Sequence, residues 1–242
     1  MFKSIFNWSG GKDSALALYH VLKDNRYSIA RLLTSVNTTY QRVSMHGVRE
    51  TLLEQQAECL GIPLQKLQLN DQPTMSEYNQ LMEATMIGLK KEGFTHSIFG
   101  DIFLEDLKKF REDKLSQQGF KAHFPIWKRN TRELVHEFID LGFKTIVVCI
   151  KGELLDKSFA GRVIDQEFLK DLPANVDPCG ENGEFHTFVY DGPIFDKPID
   201  FQVGETVYRE YKAPKDSDDN CFSSDTDRPN QMGFWFCDLL PC

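Results

Sequence analysis

The sequence lacks the features of a membrane-spanning or secreted protein. No stretch of its 242 residues approaches the roughly 18 consecutive apolar residues of a membrane span. The N-terminal residues do not form the long apolar core and cleavage site of a signal peptide. Six cysteines are scattered through a chain too large to need disulfide bonds for stability. We therefore expect a cytoplasmic protein with reduced thiols and no membrane partner.

Positive charge is also scarce in this chain. It carries 28 Lys and Arg residues against 36 Asp and Glu residues, so the surface as a whole repels polyanions. A long nucleic acid is therefore disfavoured as a partner. With 41% hydrophobic and 26% charged residues, the composition is that of a globular protein. The length suits one large domain, with or without a small appendage.

The first part of the chain alternates strand-like and helix-like segments. Predicted strands cover residues 3–8, 29–36, 64–69, 96–99, 121–127 and 145–150. Predicted helices cover residues 13–22, 48–60, 75–91, 105–117 and 131–141. This alternation predicts an α/β fold with a doubly wound parallel sheet. After residue 150 the pattern changes to one helix, a glycine-rich turn and three strands, so we predict a domain at 1–150 and a smaller α+β lobe at 151–242.

One short segment between the first strand and the first helix has the composition of an anion site. Glycines let the backbone approach a ligand closely, while amide groups at a helix N-terminus and nearby hydroxyls donate to an anion. An aspartate suits such a loop when Mg²⁺ accompanies the phosphates. The spacing matches neither the kinase-type loop nor the dinucleotide pattern. An ordinary capped glycine turn is the less favoured alternative. The segment consists of Ser9, Gly10, Gly11, Lys12, Asp13 and Ser14.

In this position the SGGKDS segment resembles the PP-loop of the ATP pyrophosphatases, which cleave ATP to AMP and pyrophosphate. The resemblance implies a HUP-like (adenine nucleotide alpha hydrolase-like) sheet with ATP across the carboxyl ends of its strands. Two further strand ends then become candidates for nucleotide contacts. Ser44, Met45 and His46 would meet the adenine or ribose, with a simple loop as an equal alternative. Gly100 and Asp101 would approach the phosphates or the metal, with a plain turn as the alternative.

A second segment, residues 178–187, places two carboxylates in a flexible turn before a strand. Together with SGGKDS, Pro125-Ile126-Trp127 and the run to Asp191-Gly192-Pro193, it resembles the diphthine-ammonia ligase family over nearly the whole chain. The resemblance implies that ATP activates a substrate carboxylate, with pyrophosphate release, and that ammonia displaces AMP. The implied substrate is diphthine, a modified histidine on elongation factor 2. The family often has an acid where this chain has His186 and a glycine where it has Asn182.

The resemblance nominates Lys12, Asp13, Glu181 and Glu184 as catalytic residues. The two glutamates could bind ammonium and accept its proton, or face the trimethylammonium group of diphthine. Both roles remain open, and an exposed acidic turn without function is the alternative.

Two further side chains are candidates for binding the substrate. Arg162 could contact the substrate carboxylate, with a structural salt bridge as an equal alternative. His186 is the other candidate, although a lone histidine on a strand is usually structural.

The chain has no glutaminase nucleophile, because Phe2 stands where such enzymes have a cysteine, so ammonia is free or delivered by a partner. A PP-loop enzyme for tRNA thiolation is the nearest alternative. The chain lacks a C-x-x-C pair, although Cys149 or Cys179 could carry a persulfide. A non-catalytic ATP-binding module is the other alternative, and Lys12 and Asp13 favour turnover instead.

Overall fold

A computed structural model describes residues 1–43, 47–70, 73–212 and 231–242. Ser44, Met45 and His46 lie outside these residues. The helices are α1 (Lys12–Lys23), α2 (Glu50–Leu60), α3 (Met75–Lys91), α4 (Glu105–Gln117), α5 (Thr131–Asp140) and α6 (Gln166–Asp171), with a 3₁₀ turn at Lys157–Phe159. The strands are β1 (Phe2–Asn7), β2 (Tyr27–Asn37), β3 (Arg42–Val43), β4 (Leu64–Leu69), β5 (His96–Ile98), β6 (Lys121–His123), β7 (Lys144–Lys151), β8 (Phe185–Asp191), β9 (Phe201–Lys212) and β10 (Gln231–Pro241).

The first sheet has β1 at its centre. β1 pairs in parallel with β2 on one side and β5 on the other, and β4 and β6 continue the sheet outward in parallel. Only the two-residue β3 is antiparallel, against the end of β2. Parallel neighbours joined by helical crossovers confirm the predicted α/β class.

Local capping signals explain why the observed helix bounds lie close to the predicted ones. Thr74 and Glu77 form a capping box at the start of α3, and the Asn130 side chain accepts two amide hydrogen bonds at the start of α5. Gly61 ends α2 in the left-handed conformation. Among the described residues, no helix is long and apolar enough to cross a membrane.

The second sheet is antiparallel throughout, in the order β8-β7-β10-β9. We expected residues 145–150 to extend the parallel sheet, and this prediction is wrong. Residues 145–150 of β7 are all buried, and a strand covered on both faces does not reveal the direction of its neighbours. The predicted strand at 121–127 also ends earlier, at His123. The division into domains at residue 150 stays a prediction. In the structure β7, which precedes this boundary, pairs with strands that follow it.

Two hydrophobic clusters cover the faces of the first sheet. The smaller cluster packs residues of α3 and α4, such as Met86 and Leu115, against β1, β2 and β4. The larger cluster joins α1, α2 and α5 to the second sheet, with Leu18, Leu53 and Phe188 fully buried in it. The two sheets therefore share one core, and this brings β8 against the start of α1.

Candidate active site

The loop between β1 and α1 turns tightly and then opens the helix. Gly10 has a φ of 79°, and a Cβ there would lie 2.7 Å from Gln56 Oε1, so the position requires glycine. Gly11 is the N-cap of α1 and offers no side chain to cap it. The Lys12 amide instead donates to Thr187 Oγ1 on β8 at 3.0 Å. The helix start is thus capped from the second sheet, 175 residues away.

The two serines of the loop close it internally. Ser9 Oγ and Ser14 Oγ lie 3.0 Å apart, and the Gly11 amide donates to Ser9 Oγ at 3.3 Å. Ser14 Oγ donates to the Gly11 carbonyl at 2.9 Å. Both hydroxyls therefore sit at the N-terminus of α1, where the helix dipole favours an anion such as phosphate.

Lys12 and Asp13 form an ion pair beside this loop. Lys12 Nζ lies 2.7 Å from each Asp13 carboxylate oxygen, with the Lys12 side chain 4% and the Asp13 side chain 30% exposed. Burial alone lowers the pKa of Lys12, but the charges of Asp13, Cys179 and Glu181 and the hydrogen bond to Asp13 together outweigh burial, and the net pKa is raised. Burial raises the pKa of Asp13, and Lys12 opposes that rise. Lys12 therefore stays cationic, and part of Asp13 stays open to a ligand.

Gly100 and Asp101 lie next to the same helix start. A Cβ on Gly100 would come within 2.9 Å of the Ser14 N and Cα atoms, so β5 ends in contact with the α1 backbone. Asp101 forms an ion pair with Arg111 of α4. Burial raises the pKa of Asp101, Arg111 lowers it, and the charge of Asp13 raises it again. The structure thus brings Gly100 and Asp101 to the phosphate loop.

The two glutamates of the 178–187 segment have different surroundings. Glu184 is 2% exposed, and its oxygens accept from the Asp177 amide at 3.0 Å, the Asn182 amide at 2.9 Å and Asn182 Nδ2 at 3.1 Å. Glu181 Oε1 accepts from the Ile102 amide at 3.0 Å. Burial, with the charge of Asp13, raises the pKa of Glu181 to about 7. Glu184 therefore holds the turn together, whereas Glu181 faces the acidic groups of the loop.

Asp13, Asp101 and Glu181 form an acidic cluster around the loop. The charge of Asp13 raises the pKa values of Asp101 and Glu181, and the charge of Asp101 adds to the rise at Glu181. Among the described residues, no three His, Cys, Asp or Glu side chains are arranged to hold a metal by themselves. Mg²⁺ needs only one or two protein carboxylates when phosphate oxygens and water complete its octahedron. Hard oxygen donors beside an anion site fit that cation.

Arg162 does not lie free to bind a substrate. Its guanidinium pairs with Asp171 Oδ2 at 2.9 Å and sits over the rings of Phe159 and Phe168, at 5.2 Å and 5.5 Å from their centres. This geometry favours the salt-bridge alternative, and substrate binding by Arg162 stays untested.

His186 lies on β8 between two residues that face the loop. The Phe185 ring centre is 5.7 Å from Lys12 Nζ, and Thr187 caps α1. Because side chains alternate along a strand, His186 points to the opposite face of β8. A role for His186 in substrate binding stays a prediction that this orientation does not favour.

Sequence reasoning missed the two polar residues that hold the loop from outside, Thr187 and Gln56. Gln56 is completely buried on α2, in the apolar stripe that includes Leu52, Leu53 and Ala57. A polar residue at a core position was the available signal, since buried amides need partners. Thr187 offered no such signal, because threonine is ordinary in strands.

Both cysteines that might carry a persulfide are buried thiols. Burial raises the pKa of Cys149 and that of Cys179 to about 12 in each case. Cys179 Sγ donates to the Thr131 carbonyl at 3.2 Å. Since the thiolate is the reactive form, these surroundings oppose sulfur transfer.

Comparisons with known proteins find similar sequences over most of the chain. The family model described as the diphthamide synthase N-terminal domain matches residues 2–122, and the one described as the C-terminal domain matches residues 130–215. Diphthine–ammonia ligase of Mus musculus is 25% identical over 232 residues, with 85% of each chain covered. The Homo sapiens protein of that name is 24% identical at the same coverage.

A solved structure is also similar to this chain. It is described as a predicted subunit of tRNA methyltransferase from Methanocaldococcus jannaschii, with a TM-score of 0.43 and 16% identity. The match covers 61% of this chain and 80% of the other. A likeness this distant carries no argument about function.

Proposed function

The chain belongs to the diphthamide synthase family, and on that premise we propose that it is an ATP-dependent ligase that adenylates a carboxylate and passes the acyl group to ammonia. One observation carries the proposal. The phosphate loop meets β8, the strand that follows the turn with Glu181, through the 3.0 Å hydrogen bond from the Lys12 amide to Thr187 Oγ1, and the charge of Asp13 acts on Glu181. We therefore assign nucleotide chemistry and acyl chemistry to one site.

The first half-reaction needs charge stabilisation at the phosphates. An oxygen of the substrate carboxylate attacks the α-phosphorus, and the bond to pyrophosphate breaks. The residues 9–14 loop, with its helix N-terminus, binds the anionic phosphates, and Lys12 offsets the charge that develops on the leaving pyrophosphate. Because Asp13 keeps Lys12 protonated, this positive charge is permanent at neutral pH.

The second half-reaction needs a proton acceptor. The nitrogen of ammonia attacks the carbonyl carbon of the acyl-adenylate, AMP leaves, and a proton of the attacking nitrogen must be removed. Glu181 suits this step because a base with a pKa of about 7 is partly ionised at neutral pH. Glu184 is less suited, since both its oxygens already accept hydrogen bonds from the turn.

We include Mg²⁺ in the proposal on the chemistry of the donors. Asp13, with 30% of its side chain exposed, and Asp101 would contact the ion together with phosphate oxygens. When bound, the ion supplies Lewis-acid stabilisation of the phosphate charge.

The relatives' name supplies the proposed substrate, diphthine. We propose elongation factor 2, which the sequence resemblance implies, as the protein partner. We further propose that the residues before about 150 bind the nucleotide and that the following lobe, which carries Glu181, binds the substrate in the cytoplasm.

Neither rival function has comparable support. A thiolation enzyme needs a reactive thiolate, whereas Cys149 and Cys179 are buried with a raised pKa. A passive ATP-binding module would have no need for a base such as Glu181, whose charge acts on Lys12.

Isotope exchange separates the two half-reactions. The chain is supplied with ATP, Mg²⁺ and diphthine-bearing elongation factor 2, and the exchange of labelled pyrophosphate into ATP is measured without ammonia. Amide formation is then followed with ¹⁵N-ammonium. We expect Lys12→Met to lose both signals, by about 100-fold or more. Glu181→Gln should keep the exchange and lose amide formation.

The matched control is Glu205→Gln, which neutralises an exposed acid on β9 and should change neither signal. Formation of ADP and phosphate in place of AMP and pyrophosphate would exclude the proposed reaction. Exchange that disappears with Glu181→Gln would instead place this residue in the first half-reaction.

A further inference from the structure

Gln56 is a buried side chain whose two N–H donors and whose carbonyl oxygen all make hydrogen bonds. Its Nε2 donates to the Gly10 carbonyl at 3.0 Å and to the Val189 carbonyl at 2.6 Å, while its Oε1 accepts from Trp8 Nε1 at 2.9 Å. The residue is 0% exposed. One amide on α2 therefore joins two segments that are distant in sequence: the phosphate loop with the adjoining end of β1, and β8.

The Gly10 carbonyl is held from two sides. Besides the bond from Gln56, it accepts from the Val189 amide at 2.9 Å. The Gly10 backbone also packs so closely on Gln56 Oε1 that no Cβ fits between them. Rotation of the peptide that joins Gly10 to Gly11 would break both hydrogen bonds.

The direction of that peptide decides where the loop presents a donor. In a trans peptide the N–H points opposite to the C=O, so fixing the Gly10 carbonyl toward Gln56 and Val189 fixes the Gly11 N–H the other way. The Gly11 amide indeed points to Ser9 Oγ, inside the loop. Glycines on both sides of the bond would otherwise allow several orientations.

We propose that Gln56 is a positioning residue for the phosphate loop, which holds the Gly11 amide toward the inside of the loop that binds the nucleotide and makes the affinity for ATP depend on α2 and β8. The inference rests on the proposed function for the identity of the ligand. It does not place Gln56 in contact with ATP. Losing its amide should weaken ATP binding, while the chemistry of bound ATP should remain.

The test measures KM for ATP and kcat for AMP formation in the full chain. Gln56→Glu keeps the shape and the acceptor for Trp8 but turns a carboxylate oxygen toward the Gly10 and Val189 carbonyls. We expect KM to rise about tenfold or more, with kcat at saturating ATP changed less than about threefold. Lowering the pH should bring KM back toward the original value, because protonation of the introduced carboxyl restores one donor. Gln56→Met, which lacks charge, should raise KM without this pH dependence.

Two controls separate positioning from general stability. Gln55→Leu changes the neighbouring glutamine, whose buried Oε1 accepts no hydrogen bond from the described residues, and should leave KM unchanged. Leu53→Ala opens a cavity in the same helix and should lower the melting temperature without raising KM. An unchanged KM in folded Gln56→Glu and Gln56→Met, or an equal rise in Leu53→Ala, overturns the inference.

Calorimetric titration of ATP with Mg²⁺ keeps this test independent of turnover. If the unaltered chain binds ATP but forms no AMP with its substrate, the proposed function fails while the inference is still decided by the dissociation constants. Affinity that falls in both Gln56 variants and not in Leu53→Ala supports the inference, and equal affinity in all of them refutes it.

Discussion

At the scale of single residues, two glutamates three positions apart differ in their hydrogen bonds and in their charged neighbours. Glu181 receives one backbone hydrogen bond and lies near Asp13 and Asp101, whereas Glu184 accepts three hydrogen bonds within its own turn. The sequence could not separate them, because both stand in the same glycine-rich turn. Their difference comes from Ile102 and Asp13, which are remote in the chain.

Replacement of Glu181 should stabilise the ATP-free protein at high pH. Its pKa is about 7 in the folded chain and 4.5 as the ordinary value. The free energy of unfolding therefore falls as the pH rises from 4.5 to 7, and the full destabilisation by ionised Glu181 remains above that range. Glu181→Gln should raise the unfolding free energy at pH 8 by at most about 3 kcal/mol, and less at pH 5.5. Urea unfolding at both pH values measures this, and a gain independent of pH would contradict it.

Replacement of Glu184 should have the opposite effect. Gln offers one acceptor oxygen and two N–H donors, so donors would face the Asp177 or Asn182 groups that now donate to the carboxylate. Since the site is buried, we expect a loss of about 2 kcal/mol in unfolding free energy. The measurement is urea unfolding at pH 7. Glu205→Gln serves as the exposed control, and equal stability of the two variants would count against a structural role for Glu184.

At the scale of elements, the start of α1 depends on the second sheet. Gly11 cannot cap the helix, and Thr187 Oγ1 accepts from the Lys12 amide instead. Sequence reasoning located the loop and the helix from glycines and apolar spacing, since these signals are local. It could not find the cap, because a hydrogen bond between residues 12 and 187 exists only once β8 has packed on α1.

Removing this cap should destabilise the fold by a modest amount. Thr187→Val keeps the shape but leaves the Lys12 amide without its acceptor, which should cost about 1 kcal/mol. Thr187→Ser retains the hydroxyl and should recover most of that loss. Chemical unfolding of the unaltered chain and of the two variants measures this loss of stability. A valine variant as stable as the serine variant would show that the cap is dispensable.

Gly100 sets the spacing between β5 and α1. A Cβ there would approach the Ser14 backbone to 2.9 Å, and backbone atoms cannot move aside as a flexible side chain can. Gly100→Ala should therefore cost about 1–3 kcal/mol and shift the phosphate loop. Gly88→Ala in α3, where nothing lies within 4 Å of the added Cβ, should instead stabilise slightly. Thermal unfolding and ATP titration measure the stability and the ATP affinity of the two variants. Equal stability and equal affinity would refute the close contact at Gly100.

At the scale of the whole molecule, local sequence patterns predicted the helices and strands better than they predicted which strands pair. Apolar spacing predicts a helix over residues 75–91, which are the bounds of α3, and the structure adds a capping box at Thr74. The placement of β7 failed because its neighbour β10 begins 80 residues after β7 ends, beyond the reach of any periodicity. The placement of Glu181 near the phosphate loop also depends on the core that both sheets share. The sequence implied this placement only through its resemblance to a known family.

That shared core predicts that the N-terminal part will not fold alone, although a separate family model matches it. A fragment of residues 1–129 would expose the faces of α1 and α2 that cover Phe188 and its neighbours, and would leave Gln56 without the Val189 carbonyl. Apolar surface of this extent is a principal source of cooperativity in a domain. We expect the fragment to lack a sharp thermal transition by circular dichroism, whereas the full chain melts in one step that ATP shifts upward. A fragment that melts cooperatively and binds ATP would instead show that the second sheet is an accessory to an independent nucleotide domain.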